Sequence, residues 1–131
     1  MIKWSAIWGF LGVATGAFGA HALKNIVPER DLEIWNTGSR YVLVHAVALL
    51  CISLLHHIKP HQALRRIALC FHIGCLIFGG SLWTLVLSSQ RWWGAITPIG
   101  GLCFLTGWIL IFLLPNMEVF QTDENHRNSP K

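Results

Sequence analysis

Charge is what this sequence has least of. Ten Lys or Arg and six Asp or Glu are spread over 131 residues, 12% of the chain, against about 25% in ordinary soluble domains. Four stretches carry none at all. They run for 20 residues between Lys3 and Lys24, 18 between Arg40 and Lys59, 24 between Arg66 and Arg91, and 26 between Arg91 and Glu118. An apolar run of about 18 residues or more is long enough to cross the roughly 30 Å hydrocarbon core of a bilayer. Four such runs leave almost nothing for a water-soluble domain, which excludes a soluble enzyme, a nucleic-acid module and a disordered tail protein. Two further absences narrow the chemistry. The runs hold no Asp, Glu, Lys or Arg, the groups on which ion-coupled transporters and proton pumps rely at depth. The chain also has no C-x-x-C pair, no internal repeat and no dense basic stripe, although its net charge is +4. Scattered basic residues suit loops beside anionic headgroups better than a nucleic-acid partner.

What is present is apolar, at 53% before glycine is counted. In hydrocarbon a spanning segment must satisfy its own backbone hydrogen bonds, so the runs are helices and the fold class is all-α, an integral membrane bundle of four transmembrane helices. The spans are read at residues 4–23, 41–58, 67–87 and 95–114, followed by a polar, disordered tail at 115–131. Ala20-His21-Ala22 has the small-x-small look of a signal-peptidase site. The single Lys ahead of it and the length of the apolar stretch favour a retained first span. The connection from Lys24 to Arg40 opens with Pro28-Glu29-Arg30-Asp31, which is helix-start chemistry. Leu32 and Trp35, three apart, predict a short helix lying on the membrane surface there. The four cysteines, Cys51, Cys70, Cys75 and Cys103, lie inside apolar runs and read as buried thiols behaving as small hydrophobes.

With four spans, both termini share a side with the second loop. That side carries Lys3, Lys59, Arg65, Arg66, Arg127 and Lys131, and the other Lys24, Arg30, Arg40 and Arg91. The positive-inside rule therefore places both termini in the cytoplasm. Trp35, Trp92 and Trp93 would then belong to an outer aromatic belt, with Trp4 and Trp8 near the inner one.

Small residues mark packing faces. Gly9, Gly12, Gly16 and Gly19 fall within an arc of about 80° on an ideal helix. Such a stripe lets helices approach closely, either inside the bundle or across a homodimer. Gly74, Ser81, Thr84 and Ser88 form a comparable face in the third span, and Thr97, Gly100, Phe104 and Gly107 in the fourth. These faces predict a compact bundle without a wide aqueous pore.

Polar side chains gather toward the outer ends: Thr37, Tyr41 and His45 step by four along one helix, Ser81 and Thr84 lie in the outer half of the third span, and Thr97 and Pro98 open the fourth. His21 closes the first span at a depth similar to that of His45, about 6 Å. The cluster reads either as interhelical hydrogen bonding or as a small binding site. His72, entering from the opposite face, is placed more than about 10 Å from His45 in depth, which argues against a bis-histidine haem. With no third ligand nearby, no metal is expected.

Four motifs occur in order: Gly16-Ala17-Phe18-Gly19-Ala20-His21-Ala22-Leu23; Trp35-Asn36-Thr37 with Tyr41 and His45-Ala46-Val47-Ala48-Leu49-Leu50; Phe78-Gly79-Gly80-Ser81-Leu82-Trp83; and Ile96-Thr97-Pro98-Ile99-Gly100-Gly101 leading to Gly107-Trp108. Together they resemble the YgdD family of small bacterial inner-membrane proteins, whose animal relatives are called transmembrane protein 256. Gly79 stands where that family more often has serine, and Trp83 where it more often has tyrosine. The resemblance implies a four-span protein of the bacterial inner membrane with no established reaction, cofactor or catalytic residue. The expectation is a non-enzymatic protein that packs against lipids, other membrane proteins or itself. The alternative is a small transporter or channel-like component for a small neutral or weakly anionic solute, using the outer polar cluster.

Overall fold

The computed structural model describes residues 1–114, so the tail expected at 115–131 lies outside the described residues. It contains four helices long and apolar enough to cross a membrane: Ile2–Leu23, Glu29–Ile58, Gln62–Ser88 and Arg91–Phe112. Among the described residues there is no strand. The first helix widens at Gly19–Leu23 and the third at Cys75–Gly79, each through one π-type turn. The fourth enters through a 3-10 turn, Arg91–Ala95, with Pro98 in the first turn of the α-helix that follows. His61 starts the third helix, its Nδ1 accepting the Ala63 N–H at 3.1 Å. Ser89 ends it in the left-handed region, at φ 57°.

The second helix departs from the expectation of a separate surface helix. It is continuous for 30 residues, Glu29–Ile58, about 45 Å at 1.5 Å per residue. A bilayer core accounts for roughly 30 Å of that. The remaining turns rise beyond it as an extension of the same rod. Trp35 holds the extension in place, buried against Leu23, Leu85 and Val86.

Two antiparallel pairs make the bundle. In the first pair, the glycine stripe of the first helix lies on the second: a Cβ on Gly9 would meet that of Ala46 at 4.0 Å, and one on Gly16 that of Ser39 at 4.0 Å. A Cβ on Gly12 would come within 3.0 Å of the Leu43 backbone, and one on Gly19 within 2.7 Å of the Trp35 ring. Each step of three or four up one helix is matched by a step down the other. In the second pair, phenylalanines and glycines interlock. The Phe104 ring lies over Gly74, the Phe71 ring over Gly107, and the Phe78 backbone nitrogen 2.5 Å from where a Gly100 Cβ would be. One turn further along, Ser81 and Thr97 share a hydroxyl–hydroxyl hydrogen bond of 2.8 Å. Without a hydrophobic drive between helices in lipid, such close packing is a main source of cohesion.

The second helix sits centrally, joining the pairs through a core of Val42, Leu49, Leu64, Ile67, Phe71 and Cys75. Gly74, Gly100 and Gly107 are all at the interface, whereas Thr84 and Ser88 turn their hydroxyls back on their own helix, donating to the carbonyls of Gly80 and Thr84 respectively. Cys75 is buried and Cys51, contrary to expectation, faces outward.

Candidate functional site

Four tryptophans hold the helices to one another through their indole N–H groups. Trp35 donates to the Thr15 carbonyl at 2.7 Å, joining the second helix to the first. Trp83 donates to Ser39 Oγ at 3.3 Å, joining the third to the second. Trp8 donates to His72 Nδ1 at 2.9 Å, and Trp108 to His45 Nε2 at 3.1 Å. An indole is a donor only. His45 Nε2 is therefore the acceptor, and the proton sits on Nδ1, which donates to the Tyr41 carbonyl at 2.8 Å. The neutral imidazole is thus satisfied at both nitrogens. It lies flat on Phe104, with ring centroids 3.6 Å apart and planes 14° apart. Phe71 and Trp108 meet it edge-on at 5.3 and 6.0 Å.

This arrangement sets the depths anew. Because His45 stacks on Phe104, it lies level with a residue seven positions past Thr97, about 10 Å further into the bundle. Its ring also meets Phe71, the chain neighbour of His72. The two histidines are therefore close in depth rather than more than 10 Å apart. Depths counted from spans starting at Tyr41 and Ile67 differ because the helices start at Glu29 and Gln62 and the Phe–Gly contacts set their register. His72 turns toward the first helix and His45 toward the fourth.

The outer polar residues do not converge on one point. Ser81 and Thr97 bond each other, while Thr37 donates to the Glu33 carbonyl of its own helix. Thr84 is likewise turned back on its helix, and His21 is exposed at the end of the first. What does come together is an aromatic ladder: Tyr41 stacks on Phe78 at 4.7 Å, and its ring lies 6.2 Å from that of His45.

Beside this ladder, on the outside of the bundle, runs a groove of about 560 Å³. It is lined by Tyr41 and His45 of the second helix, Phe78 of the third, and Pro98, Gly101, Leu102, Phe104, Leu105 and Trp108 of the fourth. Of the expected cluster, the groove takes Tyr41, His45 and Pro98. A smaller cavity of about 270 Å³ lies between the first and third helices, bordered by Trp4, Trp8 and His72.

One functional-looking contact had no place in the sequence reading. Arg91 grips Asp31 through both guanidinium nitrogens, at 2.6 and 3.2 Å, tying the start of the second helix to the turn before the fourth. The Asp31 side chain is 8% exposed and that of Arg91 55%. A carboxylate in the first turn of a helix also meets the positive end of its dipole. The available signal was that Arg91 is the only charge between Arg66 and Glu118.

A family model described as a protein of unknown function, DUF423, matches residues 15–101. The chain belongs to this family. Among its DUF423 relatives, the UPF0382 membrane protein YwdK of Bacillus subtilis is 36% identical over 107 residues, covering 81% of this chain and 87% of that protein. The UPF0382 inner membrane protein YgdD of Escherichia coli K12 is 36% identical over 120 residues, 86% of each chain. The UPF0382 membrane protein SSP2132 of Staphylococcus saprophyticus is 34% identical over 108 residues, 82% of this chain and 89% of that one. No solved structure matches. This DUF423 protein is accordingly an integral membrane protein with four spanning helices, and the resemblance read from its four motifs is to the family now shown.

Proposed function

We propose that this protein is a non-catalytic component of the inner membrane that acts by lateral association within the bilayer, with both termini in the cytoplasm. The observation that carries this reading is where the distinctive surfaces lie. The glycine stripe of the first helix is covered by the second, Gly74 and Gly107 by the rings of Phe104 and Phe71, and Gly100 by the Phe78 backbone. Interior polar groups other than Ser53 are satisfied within the bundle, by one another, as Ser81 with Thr97 and His45 with Trp108, or by carbonyls of their own helix, as Thr84. The groove, by contrast, opens sideways, where lipid and other membrane components lie. The relatives' names, membrane and inner membrane proteins, support the location, and six basic residues against four support the orientation.

Flux measurement separates this from the transporter alternative. Proteoliposomes carrying the full chain should pass glycerol, urea and formate no faster than empty vesicles. Flux above that background, reduced by Thr97→Val, would overturn the reading in favour of a transporter. Orientation is read separately: a cysteine placed at Ser89 should react with an impermeant maleimide added outside intact cells from which the outer membrane has been removed.

A further inference from the structure

We propose that the groove between the Tyr41–His45 face and the fourth helix is a binding site for a neutral, lipid-soluble molecule with a flat ring bearing a carbonyl oxygen. The proposal deepens the lateral-association reading by naming an occupant, and it rests on that reading.

Shape argues first. The groove follows the fourth helix from Pro98 to Trp108, ten residues or about 15 Å. Its volume is about 560 Å³. A flat ring about 3.5 Å thick, followed by one hydrocarbon chain, fits along the groove. The volume also falls within the range of small-molecule sites.

Chemistry argues next. No charged side chain lines the groove, which selects a neutral ligand. Entry is from the hydrocarbon side, which selects a lipid-soluble one. At the shallow end Tyr41 presents a ring that is 45% exposed, already stacked on Phe78. Among the described residues its hydroxyl has no hydrogen-bond partner. A phenol in an apolar setting favours an acceptor, and an aromatic wall favours an offset-stacked ring. Deeper in, Leu102 and Leu105 offer only aliphatic surface, suited to a tail. His45 is not a competing donor, because both of its nitrogens are occupied. The ring therefore belongs beside Tyr41 with its carbonyl oxygen accepting the phenol O–H, and the tail runs toward Trp108.

The test uses the full chain in lipid nanodiscs and a benzoquinone with a decyl side chain as probe, read by quenching of tryptophan emission. Quenching should contain a saturable component that Gly101→Leu removes. A Cβ at Gly101 meets the Phe78 ring at an ordinary 3.9 Å, so a side chain can start there without a clash, and Gly101 lines the groove. Leu105→Phe, at a position 60% exposed, is the second groove-filling variant should the first fail to fold. Tyr41→Phe should weaken binding about 3- to 10-fold, the loss of one hydrogen bond. Three results would overturn the proposal: linear quenching that is the same with the groove filled, displacement of the quinone by decanol at equal concentration, or a stable dimer that Gly101→Leu abolishes. None of these bears on solute flux, so failure here is distinguishable from failure of the lateral-association reading.

Discussion

Gly100 and Gly101 are neighbours on one helix with opposite surroundings, and the pair offers a sharp test of how the third and fourth helices are held. At Gly100 an added Cβ would lie 2.5 Å from the Phe78 backbone nitrogen and 2.9 Å from its Cα. Unstrained contacts between heavy atoms begin near 3.5 Å, so the helices must part by about 1 Å. Backbone cannot rotate away as a side-chain tip can, and overpacking of this kind costs about 1–3 kcal/mol. Parting has a second effect. The Ser81–Thr97 hydrogen bond, now 2.8 Å, would stretch beyond hydrogen-bond range and forfeit a further ~0.6 kcal/mol, the average for such bonds in membranes. At Gly101 the nearest atoms to a Cβ are 3.9 Å away, so Gly101→Ala carries neither penalty. Both alanines share the same helix-propensity gain, which cancels in the comparison. Gly100→Ala should therefore be about 2–4 kcal/mol less stable than Gly101→Ala. Reversible unfolding in mixed micelles, followed by tryptophan emission, measures the difference. Thr97→Val should cost little in the Gly100→Ala background, because the bond it removes is already broken. Equal stability of the two alanine variants within about 0.5 kcal/mol would refute the close Phe78–Gly100 contact.

Other outcomes follow from single contacts. Ser53 is 2% exposed and its hydroxyl is the one buried side-chain polar atom without a partner among the described residues. Ser53→Ala should therefore stabilise the protein by about 1 kcal/mol in the same unfolding assay, against the usual sign of a core substitution. His45→Phe keeps a ring on Phe104 but leaves the Trp108 indole N–H without its acceptor, for a loss of about 1 kcal/mol. Adding Trp108→Phe should make the double variant less destabilised than the sum of the two single changes. Asp31→Asn and Arg91→Gln each break the bidentate contact. Either change should speed hydrogen exchange at residues 29–35 and 91–96, with the double variant no faster than the worse single one.

Much of this architecture was legible before any coordinates. The fourth-helix face of Thr97, Gly100, Phe104 and Gly107 is the face that meets the third helix, because helical spacing is local and small residues mark close approach. The third-helix face was only half legible. Gly74 and Ser81 belong to it, but its other members are Phe71 and Phe78, whose rings and backbone fill the glycine gaps opposite. A large aromatic beside a glycine gives no signal within its own helix. The candidate site was harder still. Tyr41, His45 and Pro98 do border the groove, yet Thr37 and Thr84 spend their hydroxyls on their own backbones. Sequence spacing does not distinguish a threonine turned back on its helix from one turned outward.

The sequence by itself determined that this is a four-span membrane protein, for a reason that needs no partner residue. A charge-free run of sufficient length must cross lipid as a helix, since only a helix satisfies its backbone there. Tertiary structure alone decided the depth of His45, its pairing with Trp108 63 positions away, the Asp31–Arg91 clasp and the existence of the groove. Each depends on the register between helices, which the interlocking of phenylalanines with glycines sets across the bundle and no single helix encodes.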